Sequence, residues 1–190
     1  MAKWLSTLTS APLVAIPVFL FINFLVSGTS FILFSALSIL FAGVIPILLT
    51  LFWSKIIKKI PYDIPEKGDR NLLLPAVVIS YLAGTICLFI LHASWLVTGL
   101  MICYCTNTFV VLIINLVWKI SIHAMGTAGP MTAVIFAVGW QGLLLVFLLI
   151  PVMWSRVHLR RHTVAQVVGG AALGFLLTGV QLYLLRPVLG

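Results

Sequence analysis

Acidic residues are almost absent. Asp63, Glu66 and Asp69 are the only three in 190 residues, and all lie in one short polar segment. They are not spaced as a cage for a hard cation, so no metal site is read from them. Charge of either sign is scarce: 7% of residues are charged, 63% are hydrophobic, and the mean hydropathy is +1.26. That balance excludes a soluble globular domain. Cysteine is sparse as well. Cys87, Cys103 and Cys105 fall inside apolar runs, form neither a disulfide framework nor a zinc spacing, and read as small core hydrophobes. No secretory leader is expected, because Met1-Ala2-Lys3-Trp4 has a single cation and the apolar run from Ala11 is followed at once by a second.

What the chain does have is apolar runs. A spanning helix needs roughly 20 apolar residues, since backbone polar groups in lipid must be bonded within the segment. The runs predict an all-α, polytopic transmembrane helix bundle of about six to seven helices, forming one domain over residues 1–190. Helices are expected at about 9–26, 31–53, 72–91, 95–118, 126–138, 143–154 and 164–185. Gly43 and Pro46 predict a kink in the second helix. Two prolines and a glycine make 61–71 a loop, with Pro75 in the first turn of the helix that follows. The apolar run 124–154 would be about 46 Å long as one helix, well beyond a ~30 Å hydrocarbon core. Gly139-Trp140-Gln141-Gly142 in its middle predicts two helices folded back on each other.

The cations sit between these runs. Eleven Lys and Arg against three acids give a formal charge of +8. No basic stripe with interleaved aromatics is present, so nucleic acid is excluded as a partner. If the connections alternate sides, ten of the eleven cations share one side and only Arg186 is opposite. The positive-inside rule makes that side cytoplasmic. Helix-end anchoring accounts for Lys3, Lys55, Lys58, Lys59 and Arg186. Asn107, Asn115 and Thr106 lie inside helices, where bonds between helices explain them more simply than an ion pathway.

Three polar clusters remain: Lys67/Asp69/Arg70, Lys119/Ser121/His123, and the stretch from Ser155 to Gln166. The last packs three arginines and two histidines into the eight residues 155–162. Histidine is a poor topology marker, being mostly neutral near pH 7. Handling a phosphate ester takes cations for its oxygens, a nucleophile in line with the leaving group, and an acid to protonate that group. His, His, Arg and Lys supply all of these.

These residues resemble a known pattern. The type 2 phosphatidic acid phosphatase superfamily of integral membrane lipid phosphatases carries the motifs K-x6-R-P, P-S-G-H and S-R-x5-H-x3-D. Ser155, Arg156 and His162 match the third with the right gap, and Ile120-Ser121-Ile122-His123 keeps the Ser and His of the second. The first is the weakest match. Arg70 has Asp63 seven residues before it and Asn71 in place of Pro, with Lys67 three upstream. The chain is thus similar to a divergent branch of the superfamily, with its motif-bearing core at about 61–185.

The resemblance implies the following roles. His162 is the nucleophile that forms a phosphohistidine, and His123 protonates the leaving oxygen and then activates water. Arg156 stabilises charge in the transition state. Lys67, Arg70, Lys119, Ser121 and Ser155 hold phosphate oxygens. Gln166 stands where the family has Asp; it can orient His162 but offers no negative charge. The implied substrate is a membrane lipid with a terminal phosphate or diphosphate, an isoprenoid diphosphate or phosphatidic acid. No cofactor or metal is implied. The oligomeric state is left open. A catalytically impaired lipid-binding or scaffold member, and a small transporter, remain the competing readings. On this pattern Lys119 supplies the cation that the first motif lacks. Lys119→Ala is therefore expected to lose phosphatase activity, measured as phosphate release, and full retention would remove Lys119 from the site.

Overall fold

The computed structural model describes residues 2–57 and 67–189, with the backbone alone at residues 3 and 67–71. Seven rods and a short N-terminal helix make an all-α bundle, with no strand among the described residues. The short helix is α1 (Ala2–Leu8), followed by α2 (Ala11–Val26). The next rod contains α3 (Phe31–Ile39) and α4 (Ile45–Leu51), joined by a π turn at Leu40–Val44 and ending in another at Phe52–Ile57. The others are α5 (Lys67–Ile90), α6 (Trp95–Val117), α7 (Ile122–Val138), a 3₁₀ stretch Gly139–Leu148 continuing into α8 (Leu149–His158), and α9 (Val164–Leu189). Among the described residues, five apolar helical runs are long enough to cross a membrane: Gly28–Ile57, Leu72–Ile90, Trp95–Val117, Ile122–His158 and Val164–Leu189. The chain has the build of a multi-pass membrane protein.

Local chemistry sets the element ends. Ser10, with extended backbone, precedes α2, and Pro12 sits in its first turn, where a missing N–H is harmless. The irregularity expected at Pro46 falls one turn earlier. Pro46 cannot donate, and its ring crowds the preceding turn, which widens so that the Ile45 N–H reaches back to the Leu40 carbonyl. Polar side chains inside the helices bond across them: Thr106 donates to Gln181 at 2.6 Å, Gln181 to Asn107 at 2.9 Å, and Asn107 to Thr178 at 2.9 Å. These bonds tie α6 to α9. Asn115 is buried, and its amide makes no hydrogen bond among the described residues.

Three expected boundaries shift. Residues 67–71 belong to α5 rather than to a loop, so Pro75 is an interior helix position and not a first-turn one. The expected loop before it lies outside the described residues. Helix α7 starts at Ile122 instead of about 126, because Ser121 caps it by accepting the Ala124 N–H. At the other end of the polar stretch, Ser155 and Arg156 lie within α8 and not in the connection after it.

The run Ile122–His158 is folded in two. Gly139 takes φ 75° and ψ −149°, a conformation open essentially to glycine alone. The chain then turns back so closely that a methyl group on Gly142 would sit 2.8 Å from the Ile135 Cα. The returning limb packs Leu149 beside Met131 and Ala128, and Val167 and Ala171 of α9 complete that core. Residues 139–148 rise at the steeper 3₁₀ rate of ~2.0 Å each against ~1.5 Å in α7, so these ten residues alone cover about 20 Å of the ~25 Å length of α7. Gly142→Ala is expected to destabilise the protein by about 1–3 kcal/mol, because the clash is with backbone and cannot be relieved by a rotamer change. A thermal melt in detergent checks this, and an unchanged midpoint would contradict it.

Candidate functional site

The end of α8 is built by a helix stop. The Arg161 N–H donates to the Arg156 carbonyl at 3.1 Å, and the Arg160 N–H donates to the Val157 carbonyl at 2.9 Å. With Arg160 at φ 53°, this is the Schellman arrangement, carried by arginine where glycine is usual. The Arg156 carbonyl also accepts the His162 N–H at 3.3 Å. The gap between Arg156 and His162 is therefore one C-terminal turn, and it returns His162 to the turn that carries Arg156.

Helix α9 begins with a capping box. The Gln166 N–H donates to Thr163 Oγ1 at 3.3 Å, and the Thr163 N–H donates to Gln166 Oε1 at 3.2 Å. His162 Nδ1 lies 3.2 Å from that same oxygen. A backbone N–H can only donate, so the Gln166 atom that faces Thr163 is its carbonyl oxygen and not its nitrogen. That oxygen can only accept, which places the imidazole proton on Nδ1 and the lone pair on Nε2. Gln166 thereby fixes both the tautomer and the orientation of a ring that is only 6% exposed.

Gln166 also reaches α7. Its backbone carbonyl accepts the Ser121 N–H at 3.2 Å. The approach is tight: a methyl group on Gly170 would lie 2.6 Å from the Ser121 carbonyl oxygen. Ser121 is fully buried, and Ile122 and His123 form the first turn of α7. The start of α7, the start of α9 and the end of α8 thus share one end of the bundle. Two helix N-termini there bring the positive ends of their dipoles to that end, which favours an anion.

Arg156 is completely buried, and its Nη1 donates to Ser6 Oγ of α1. Neither Ser6 nor α1 was singled out by composition or spacing, and the contact joins residues 150 positions apart. Ser6 also lines a cavity of about 150 Å³ between α2, α4, α5, α6 and α7, whose lining includes His123, Tyr81 and Tyr104. His123 lines this cavity directly, whereas Arg156 and His162 do not; Arg156 touches its lining through Ser6.

The remaining expected residues are placed differently. Ser155 is buried, and its hydroxyl donates to the Val152 carbonyl of its own helix at 2.7 Å. Lys119 is half-buried in the tight turn before Ser121, where the Ile120 N–H reaches the Trp118 carbonyl at 2.9 Å. The side chains of Lys67 and Arg70 lie outside the described residues. His158 and Arg160 are exposed, and His158 stacks on Trp154 at 4.8 Å.

A left-handed arginine carries strain that glycine does not. The left-handed region costs an L-residue roughly 1–2 kcal/mol, and glycine's freer unfolded chain returns about half of that. Arg160→Gly is expected to raise stability by about 0.5–1 kcal/mol, visible as a higher melting midpoint in detergent; a lower midpoint would show that the Arg160 side chain outweighs its backbone strain. No protein-family model, no curated protein and no solved structure matches this chain.

Proposed function

We propose that this protein is a membrane lipid phosphatase that works through a phosphohistidine on His162 and needs no metal. The observation that carries the reading is the pair of bonds converging on Gln166. One oxygen holds His162 with its lone pair on Nε2, and the backbone carbonyl holds the capped start of α7, from which His123 projects. A nucleophile oriented by an acceptor, with a second histidine on the adjoining helix start, is the arrangement that supports phosphoryl transfer through a covalent intermediate.

Nε2 of His162 attacks phosphorus, and the bond to the leaving oxygen breaks as His123 delivers a proton to it. His123 then takes a proton from water, whose oxygen attacks the phosphohistidine and restores His162. Arg156 and the N–H groups at the starts of α7 and α9 stabilise the equatorial oxygens, with Lys119 and the Lys67/Arg70 segment as further cations. Gln166 leaves the imidazolium less stabilised than a carboxylate would, so the histidine is correctly aimed but less basic. The substrate is an isoprenoid diphosphate or phosphatidic acid whose apolar part enters the cavity. The positive-inside bias of the chain assigns the site to the cytoplasmic face.

The test is phosphate release in detergent and EDTA from a panel of prenyl diphosphates and phosphatidic acid. His162→Ala and His123→Ala are each expected to lose roughly 10²-fold or more, the scale of a positioned acid, base or nucleophile. Release by the unaltered protein from none of the panel would move the assignment to a lipid-binding scaffold. Release that stops in EDTA would overturn the metal-free mechanism.

A further inference from the structure

Two asparagines lie inside α6, and the fold treats them differently. Asn107 is engaged at both ends of its amide: Nδ2 donates to Thr178 Oγ1 at 2.9 Å, and Oδ1 accepts from Gln181 at 2.9 Å. Asn115, about two turns further on, is completely buried, and neither Oδ1 nor Nδ2 has a hydrogen-bond partner among the described residues. A buried amide without partners loses the hydration of a donor and of an acceptor and recovers neither. Such groups in folded proteins are almost always paired. A leucine of similar size would fill the same space without that penalty.

The register of α5 against α6 sets what stands opposite. The two helices run antiparallel. A methyl group on Gly84 would sit 3.2 Å from the Met101 methyl carbon. Tyr81 stands edge-on to Tyr104 with ring centroids 5.3 Å apart. Cys105 Sγ lies 3.8 Å from the Val78 carbonyl oxygen, and Leu74 and Val111 belong to one buried cluster. Each turn back along α5 matches one turn forward along α6. The next turn sets Arg70, in the first turn of α5, level with Asn115. Position 70 also continues the buried stripe Leu74, Val77, Tyr81, Gly84 and Leu88, at the three-and-four spacing of one helix face. That level is the phosphate end of the bundle. Ile120 and Met125, on either side of the Ser121 cap, share the cluster of Leu74 and Val111.

We infer that Asn115 is a positioning residue for Arg70, its amide oxygen accepting from the guanidinium and holding that cation at the phosphate end of the bundle. This rests on the phosphate-site reading and adds to it a residue outside the matched motifs. A guanidinium has five donors and no acceptor, so an amide oxygen complements it. A neutral acceptor orients the cation without cancelling it, and the positive charge stays available to an anion. Gln166 stands in the same relation to His162: both are amides that aim a neighbour and add no charge of their own.

The experiment reads the sign of one substitution in two backgrounds. Asn115→Leu is melted in detergent by itself and together with Arg70→Met. With Arg70 present, the midpoint is expected to fall, because the guanidinium loses its acceptor. With Arg70 replaced, the same change is expected to raise the midpoint, because it removes an orphaned amide. Asn115→Ala, read as the difference between the two backgrounds, serves if leucine is not accommodated. Equal shifts in both backgrounds make Asn115 a structural residue and overturn the inference. Inorganic phosphate gives the second readout. Added to the full-length protein, it is expected to bind about tenfold more weakly to Asn115→Leu than to the unaltered chain, the scale of one charge-assisted hydrogen bond. Unchanged phosphate affinity overturns the positioning role even where the melts show a coupled pair. No binding of phosphate by the unaltered protein overturns that role and the phosphate site together. If both readouts come out as expected but no lipid releases phosphate, the phosphatase reading fails and the assignment of Asn115 stands.

Discussion

Three acceptor contacts on Gln166 hold the site together. Its side-chain oxygen takes the Thr163 N–H and faces His162 Nδ1, and its backbone carbonyl takes the Ser121 N–H. The first is the reciprocal cap that starts α9, the second aims the histidine, and the third ties α9 to the start of α7. Loss of the side chain would affect helix initiation and ring orientation together, so structure and chemistry cannot be separated at this position. A shorter Asp would supply charge but is one methylene short of the Glu or Gln that a capping box uses at this position. The chain keeps the cap and the acceptor and goes without the charge.

The bundle was largely legible in the sequence because lipid imposes one rule, internal satisfaction of backbone groups, and apolar run length reports it directly. The fold-back at Gly139 was legible too, since a single helix of that length would overshoot the bilayer. Boundaries were less so. The start of α7 depends on the Ser121 cap, whose Ser-Ile-His context could equally have been a linker. The role of Gln166 as a cap was written in Thr163-Val164-Ala165-Gln166, a Thr-x-x-Gln box, but it was hidden by comparison with a motif that expects Asp there. Ser6 could not have been read at all: nothing local marks a serine in a short N-terminal helix as the acceptor for a buried arginine 150 residues on.

The return limb shows how a chain too long for one crossing and too short for two ordinary ones can still bring both ends together. Residues 139–148 wind as 3₁₀, which gains length per residue at the expense of poorer hydrogen bonds. Ten residues in that form span about a third more than they would as α-helix. Most of the large apolar side chains on this limb face outward, so its stability depends on lipid and on the seam with α7 and α9.

The contact between Ser6 and Arg156 has a consequence for biogenesis. Membrane helices are delivered to the bilayer in chain order, and the serine leaves the ribosome long before its partner has been translated. The contact therefore cannot form until α8 has been threaded into place and the first few residues have docked on it, which makes it one of the last long-range contacts of assembly. A nascent chain stalled short of α8 would carry most of the spans but leave Ser6 without its arginine, so the N-terminal helix is fastened only by completion of nearly the whole polypeptide.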